Sequence, residues 1–259
     1  MLRSLIQLLR RFNPYADPTI RHLWVYVRAI YLIRIRRRLR TLDSQDAVKA
    51  NVAHNMRSIY SANRRMNLVL FPLAIIETLA AHSRILVIGP RNEFDLYTLA
   101  GLGFRIDNVV GLDLITYSPH VQLGDMHDMQ FEDKSFDAVV CGWTLSYSTD
   151  PRRAAREMLR VTRPGGIVAI GVEYSNLSRE AEQELLGYQL QELDKIGRRI
   201  NSTGDIRALF EGEIGHVYFE HDAPQKVSHS AEGLAANVSN VALVFSRALV
   251  PAPAASEQG

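Results

Sequence analysis

One cysteine in 259 residues, Cys141, excludes any internal disulfide, and its place inside an apolar run points to a buried thiol in a reducing compartment. Long hydrophobic runs are also missing. No stretch reaches the roughly 18 to 20 unbroken apolar residues that cross a bilayer. The nearest, residues 20–33, contains Arg21 and Arg28 and runs into Arg34, Arg36, Arg37, Arg38 and Arg40. The beginning of the chain has no long apolar core followed by a small-residue cleavage site, so a secretory signal is not expected, although an Arg-rich, acid-poor start is also the composition of a transit peptide. Acid is scarce at this end. Residues 1–40 hold ten Arg and a single acid, Asp17, so a formal net charge of +2 conceals a segment of +9 and a remainder of −7. Repeats are absent. His216, Glu220, His221 and Asp222 cluster in sequence, but on and just after an expected strand, and no metal site is expected there.

What the chain has is a change of period. With 47% apolar and 22% charged residues it can bury a large core as one domain with an appendage. Residues 1–80 read as a basic amphipathic helical extension, interrupted at Asn13-Pro14, with apolar residues at helical spacing from Ser44 to Ala81 and a break at Phe71-Pro72. From Arg84 short continuous apolar runs take over: Ile85 to Ile88, Val109 to Leu112, a short one around Val121, and Ala138 to Cys141. Later runs follow at Gly166 to Val172, His216 to Phe219 and Val241 to Phe245. Strands without polar alternation, separated by helical segments such as Pro151 to Arg160, predict an α/β fold. The expected form is Rossmann-like, a seven-stranded mostly parallel sheet with helices on both faces, over residues 81–250. Further helices are expected at Ser178 to Arg199, whose Lys and Glu mark a solvated face, and near Asp205 to Phe210. Residues 251–259, rich in Ala and Pro, read as a disordered tail.

The order of residues inside this pattern carries more. Gly89 ends the first apolar strand, Asp113 the second, and Asp125 follows the third; Phe136-Asp137 opens the fourth and Arg163-Pro164-Gly165-Gly166 precedes the fifth. This succession resembles the class I S-adenosylmethionine-dependent methyltransferases over residues 84–175, and more weakly to about 247. In open parallel sheets ligands bind beyond the carboxyl ends of the strands. The resemblance therefore implies S-adenosylmethionine as cofactor, with Gly89 turning the chain toward a helix N-terminus that receives the methionyl carboxylate. It also places Asp113 on the ribose hydroxyls, Asp125 on the adenine amino group, and the backbone of Met126 at a ring nitrogen. Trp143 would be a stacking platform or a packing residue. Tyr147 and His127 are the candidates for acceptor chemistry, Tyr147 being a poor base with an ordinary pKa near 10.

Three departures qualify the resemblance. The first loop reads Val87-Ile88-Gly89-Pro90-Arg91-Asn92-Glu93 and keeps one of the family's three glycines, so Arg91 is expected to pair with the cofactor's carboxylate and Glu93 with its ammonium. Only eleven residues, Leu114 to Gly124, separate Asp113 from Asp125; with Pro119 among them an extended loop is expected in place of a helix. Tyr147 stands where small-molecule members often have His. The expected activity is methyl transfer to an oxygen or nitrogen of a small-molecule, glycan or lipid-linked acceptor. Nucleic acid is disfavoured, because no Asp-Pro-Pro-Tyr or Asn-Pro-Pro-Tyr follows the fourth strand. A nicotinamide oxidoreductase is set aside, since no Tyr has Lys four residues later. The alternative is a non-catalytic protein of this fold acting as a membrane-associated binding partner. In either reading residues 1–40 are expected to meet an anionic membrane surface or an acidic partner, the competing arrangement being a helical cap over the site, and the location is expected to be cytoplasmic, peripheral on the membrane.

Overall fold

The computed structural model describes residues 13–42, 59–61, 64–175, 200–222 and 238–249. The expected helix at Ser178 to Arg199, the tail from Pro251 and most of the segment following Ser44 lie outside these residues.

The sheet is built from the apolar runs. β2 (Ile85–Ile88), β3 (Val109–Asp113), β5 (Val121–Leu123), β6 (Phe136–Gly142), β7 (Thr162–Ser175), β8 (Ile214–His221) and β9 (Val238–Arg247) stand in the order β5-β3-β2-β6-β7-β9-β8. The first five are parallel to their neighbours, and β9 lies antiparallel between β7 and β8. The strand order reverses beside β2, the first of the series, which places the expected crevice at its carboxyl end.

Both faces are buried, which explains why these strands lack polar alternation. Leu86, Ile88, Val139, Cys141, Val168 and Ile170 face one apolar cluster with Ala154, Ala155, Met158 and Val161 of helix α4 (Pro151–Val161). Ile85, Val87, Ala138, Val140, Ile167 and Ala169 face a second, with Val69 and Leu70 of the single turn α2 (Asn67–Leu70) and Leu96 and Leu99 of α3 (Phe94–Gly101). Cys141 is buried as expected, and burial raises its thiol to a pKa of about 12. A short helix α5 (Thr203–Leu209), capped by the Ser202 hydroxyl, sits where a helix near Asp205 was expected.

Phe136-Asp137 and Arg163-Pro164-Gly165-Gly166 meet at the amino ends of β6 and β7, away from the crevice. The Asp137 carboxylate accepts the backbone N–H of Arg84 at 2.7 Å and the Arg163 guanidinium at 2.5 Å, tying the starts of three strands together. A side chain at Gly166 would press on the carbonyls of Arg163 and Asp137. These two motifs are structural.

One expectation changes and another gains a partner strand. Between Arg64 and Ile75 the chain makes a 3-10 turn, the single α-turn α2 and another 3-10 turn, because Pro72 donates no hydrogen bond and Ile76 is extended. The Leu114 to Gly124 segment is the extended loop expected, yet its β4 (Ile115–Thr116) pairs antiparallel with β1 (Arg40–Thr41), a link between extension and sheet domain that neither segment announces.

The extension also packs. Helix α1 (Pro18–Ile30) is capped by the Asp17 carboxylate and continues through a π turn at Tyr31–Ile35. It buries Val25 against Phe94, Tyr97 and Ala100 of α3, and Ala29 and Leu32 against Ile115 and Tyr117. Of the two arrangements considered for residues 1–40, the inner face of α1 is that of a cap on the sheet domain.

Candidate functional site

At the carboxyl edge β2 and β3 lie side by side, as do β3 and β5, so Gly89, Asp113 and Asp125 end three adjacent strands although they are far apart in sequence. Gly89 is held at φ +67°, and a Cβ there would lie 2.0 Å from the Thr144 Oγ1 of the loop after β6. Only glycine makes this turn without displacing its neighbour.

Asp113 is 5% exposed. One carboxylate oxygen accepts the Arg91 backbone N–H at 2.9 Å and the other accepts that of Ile115 at 3.2 Å. Burial nevertheless pushes its pKa up to about 6, against the pull of those donors and of the Arg91 charge. Backbone donors alone leave this carboxylate under-solvated, and among the described residues no side chain donates to it, so it can still accept from a ligand hydroxyl.

Arg91 sits at φ +57°, the left-handed conformation that glycine adopts freely. Arg91 thus carries a side chain in a backbone conformation that favours glycine. Glu93 corrects its expected role. Its carboxylate is fully occluded, bound in fork fashion by the Arg28 guanidinium of α1 at 2.7 and 3.0 Å and by the Ser118 hydroxyl at 2.5 Å. A carboxylate so occluded and already paired with a guanidinium is out of reach of a cofactor ammonium; it anchors α1 and the Leu114–Gly124 loop to the start of α3. The α3 N-terminus is also partly used: the Asn92 side chain accepts the Phe94 N–H, and its amide donates to the carbonyls of Ile59 and Ser61.

The acid that the loop does hold beside its cations is Asp95, in the first turn of α3. Burial raises its pKa to about 7, opposed by the charges of Arg91, Arg65 and Arg21. The sequence offers only an unremarked acid two residues past the expected one. Arg65 belongs to this edge too, stacked over the Trp143 ring and paired with Glu173.

On the far side, Asp125 and His127 are partners. The Asp125 Oδ1 accepts the His127 backbone N–H at 2.9 Å and lies 2.6 Å from its Nδ1, while the His127 Nε2 lies 2.6 Å from the Ser148 hydroxyl. These contacts with His127 hold the Asp125 carboxyl below the usual range. Both ring nitrogens are engaged, Nδ1 on Asp125 and Nε2 on the buried Ser148 hydroxyl, so His127 joins the loops after β5 and β6. Among the described residues Asp125 Oδ2 makes no protein hydrogen bond. Met126 packs its side chain on the first cluster beneath, leaving its backbone at the edge.

Trp143 is corrected as well. Its ring is 3% exposed, its Nε1 donates to Asn240 at 3.1 Å, and it lies so close to Gly171 that a Cβ there would meet it at 2.8 Å. It packs the core and offers no face to a ligand. Tyr147 is half-buried at the end of a 3-10 turn, Thr144–Tyr147, that follows β6 at the same edge. His216, Glu220, His221 and Asp222 gather no metal set; no such cluster exists among the described residues.

Comparison with known proteins falls on this region. Residues 90–170 match a sequence family described as a methyltransferase domain. Similar curated proteins include the demethylmenaquinone methyltransferase of Paenarthrobacter aurescens, 37% identical over 86 residues, which is 32% of each chain. Another is the ubiquinone/menaquinone biosynthesis C-methyltransferase of Idiomarina loihiensis, 34% identical over 82 residues, 31% of this chain and 32% of that one. The chain thus spans about a third of the length of the curated relatives it matches. Among solved structures, a complex of the Haloferax volcanii Trm112 methyltransferase activator with a methyltransferase superimposes with a TM-score of 0.55 at 17% identity, over 77% of this chain and 96% of that one. The [4+2]-cyclase SpnF does so at 0.50 and 14%, over 81% and 98%.

Proposed function

We propose that this chain, whose residues 90–170 form a class I methyltransferase domain within a seven-stranded methyltransferase fold, moves the methyl group of S-adenosylmethionine to a small-molecule or lipid-linked acceptor. One observation carries the reading: Gly89, Asp113 and Asp125, scattered in sequence, end three adjacent strands at the edge where this fold binds ligands.

The residues fit the cofactor. Asp113, buried with backbone donors alone, holds the two ribose hydroxyls; Asp125 Oδ2 takes the adenine amino group beside the Met126 backbone; Arg91 meets the methionyl carboxylate, and Asp95 takes the ammonium in place of Glu93. When bound, the sulfonium supplies an activated methyl group. The chain contributes position: methyl transfer is an in-line displacement, and alignment of acceptor and methyl supplies much of the acceleration without a base. Tyr147 orients the acceptor from the loop after β6. The relatives named for demethylmenaquinone, one of them a C-methyltransferase, support a lipid-linked acceptor and extend the attacked atom from oxygen or nitrogen to carbon. No observation favours a glycan.

The second reading, a non-catalytic protein of this fold, draws on the left-handed Arg91 and the occluded Glu93. Calorimetry with S-adenosylhomocysteine separates the two. The wild-type chain is expected to bind, and Asp113→Ala, which removes two charge-assisted hydrogen bonds of roughly 1.5 to 3 kcal/mol each, to bind at least about tenfold more weakly. A wild-type chain that takes up no ligand at millimolar concentration overturns the enzymatic reading.

A further inference from the structure

Helix α1 is apolar on two opposite faces. The inner face, Val25, Ala29 and, one turn on, Leu32, is buried, with the Arg21 guanidinium on the Tyr15 carbonyl and Arg28 on Glu93. The outer face should then be polar, as on an ordinary surface helix. Instead Ile20, Leu23, Trp24, Val27, Ile30 and Tyr31 recur three and four residues apart, with Leu23 62%, Val27 54% and Trp24 46% exposed. From Ile20 to Tyr31 the exposed positions carry no acid, Lys or Arg; His22 is their only cationisable side chain.

We propose that this face docks the protein on an anionic lipid bilayer, with α1 lying in the plane of the headgroups. Charge decides the occupant. Directly after the apolar stripe Arg34, Arg36, Arg37, Arg38 and Arg40 are all exposed, and no acidic residue occurs between Pro18 and Leu42. A second copy of the chain would bring two such arginine clusters together, whereas an anionic surface pairs with them while its acyl boundary receives the stripe. Trp24, Tyr26 and Tyr31 add amphipathic rings suited to that boundary. No described helix is long and apolar enough to cross a membrane, so α1 lies on the surface. Residues 41–259, at −7, are repelled by the same lipids, which orients the molecule with α1 toward them. The docking does not depend on methyl transfer, but its placement is apt: Arg28 ties α1 to Glu93 at the start of α3, so the lipid-facing helix is one contact from the candidate site.

The test is flotation of the full chain with phosphatidylcholine vesicles, with and without phosphatidylglycerol. The chain is expected to rise with the anionic vesicles and to be released by high salt. Leu23→Glu/Val27→Glu, and separately Arg36→Glu/Arg37→Glu/Arg38→Glu, should each weaken binding at least about tenfold, with urea unfolding unchanged because all five side chains are exposed. In a Trp143→Phe variant that still unfolds cooperatively, Trp24 fluorescence should be quenched by brominated lipid. Failure to float, flotation indifferent to the Leu23/Val27 substitutions, or a dimer in sedimentation that those substitutions dissolve, would each overturn the proposal.

Discussion

In the proposed site Asp113 would turn a strand end into a binding group, because burial leaves its carboxylate with backbone donors alone. With a pKa of about 6 in the free protein, it is ionised at pH 7 and mostly protonated at pH 5. Only the ionised form offers lone pairs to both ribose hydroxyls, so S-adenosylhomocysteine affinity is expected to weaken by about tenfold from pH 7 to pH 5 and to level off above neutrality. Asp125, held low by His127, stays ionised throughout this range and contributes no slope. Titration calorimetry at several pH values checks this, and Asp113→Asn should bind weakly at every pH. Glu93 makes the opposite case, a charge whose partners are all internal. Glu93→Ala leaves Arg28 and Ser118 facing a void, and since Arg28 is a quarter exposed the cost is expected at the lower end of that for a broken buried pair, about 3 kcal/mol in urea unfolding. The family resemblance implied both residues as site acids. Nothing in it said which of them would find an arginine sixty-five positions away.

The decisive element is the turn from β2 into α3. It stays tight because Gly89 adopts a left-handed backbone and Arg91, two residues on, repeats it; Asn92 then caps the helix from within the loop. Gly89→Ala is expected to cost about 2 kcal/mol, since a methyl group there both resists the positive φ and strikes the Thr144 hydroxyl. Urea midpoints check the stability, and ligand titration should show the affinity falling with it, because the same turn positions the Arg91 N–H on Asp113. A loss of stability without loss of affinity would mean that the ligand does not use this turn. α1 was legible as a helix from its 3.6-residue period, but a period reveals two apolar faces without telling which one is covered.

For the molecule as a whole, the buried acids set an unusual dependence on pH. Asp95 and Asp113 have pKa values of about 7 and about 6 in the folded state, above their unfolded value. Between pH 4 and 7 these two acids therefore hold more protons in the folded chain than in the unfolded one, and the stability they contribute falls as pH rises through this window. Asp125, Glu157 and Glu220, all depressed, act in the other direction at lower pH, and His120, whose burial lowers its pKa, opposes part of the decline within the window. Asp95→Asn is expected to flatten the decline and to raise stability at pH 8 by a few kcal/mol, read from urea midpoints across pH. An unchanged slope would show that Asp95 is solvated in solution.

The α/β class, the succession of strands and the edge to which the candidate site belongs were determined by sequence alone, because continuous apolar runs demand burial on both faces and parallel strands deliver their ends to one edge. The identity of the motifs was legible too, though not their purpose: Phe136-Asp137 and Arg163-Pro164-Gly165-Gly166 prove to be a brace at the opposite end of the sheet. Tertiary structure alone decided the division of labour among the charges. Glu93 became an anchor, His127 a strut, Trp143 a core residue and Asp95 a buried acid, because each outcome depends on contacts between segments distant in sequence. Local pattern specifies which side chains are polar; only the packed fold specifies which of them meet each other and which remain for a ligand.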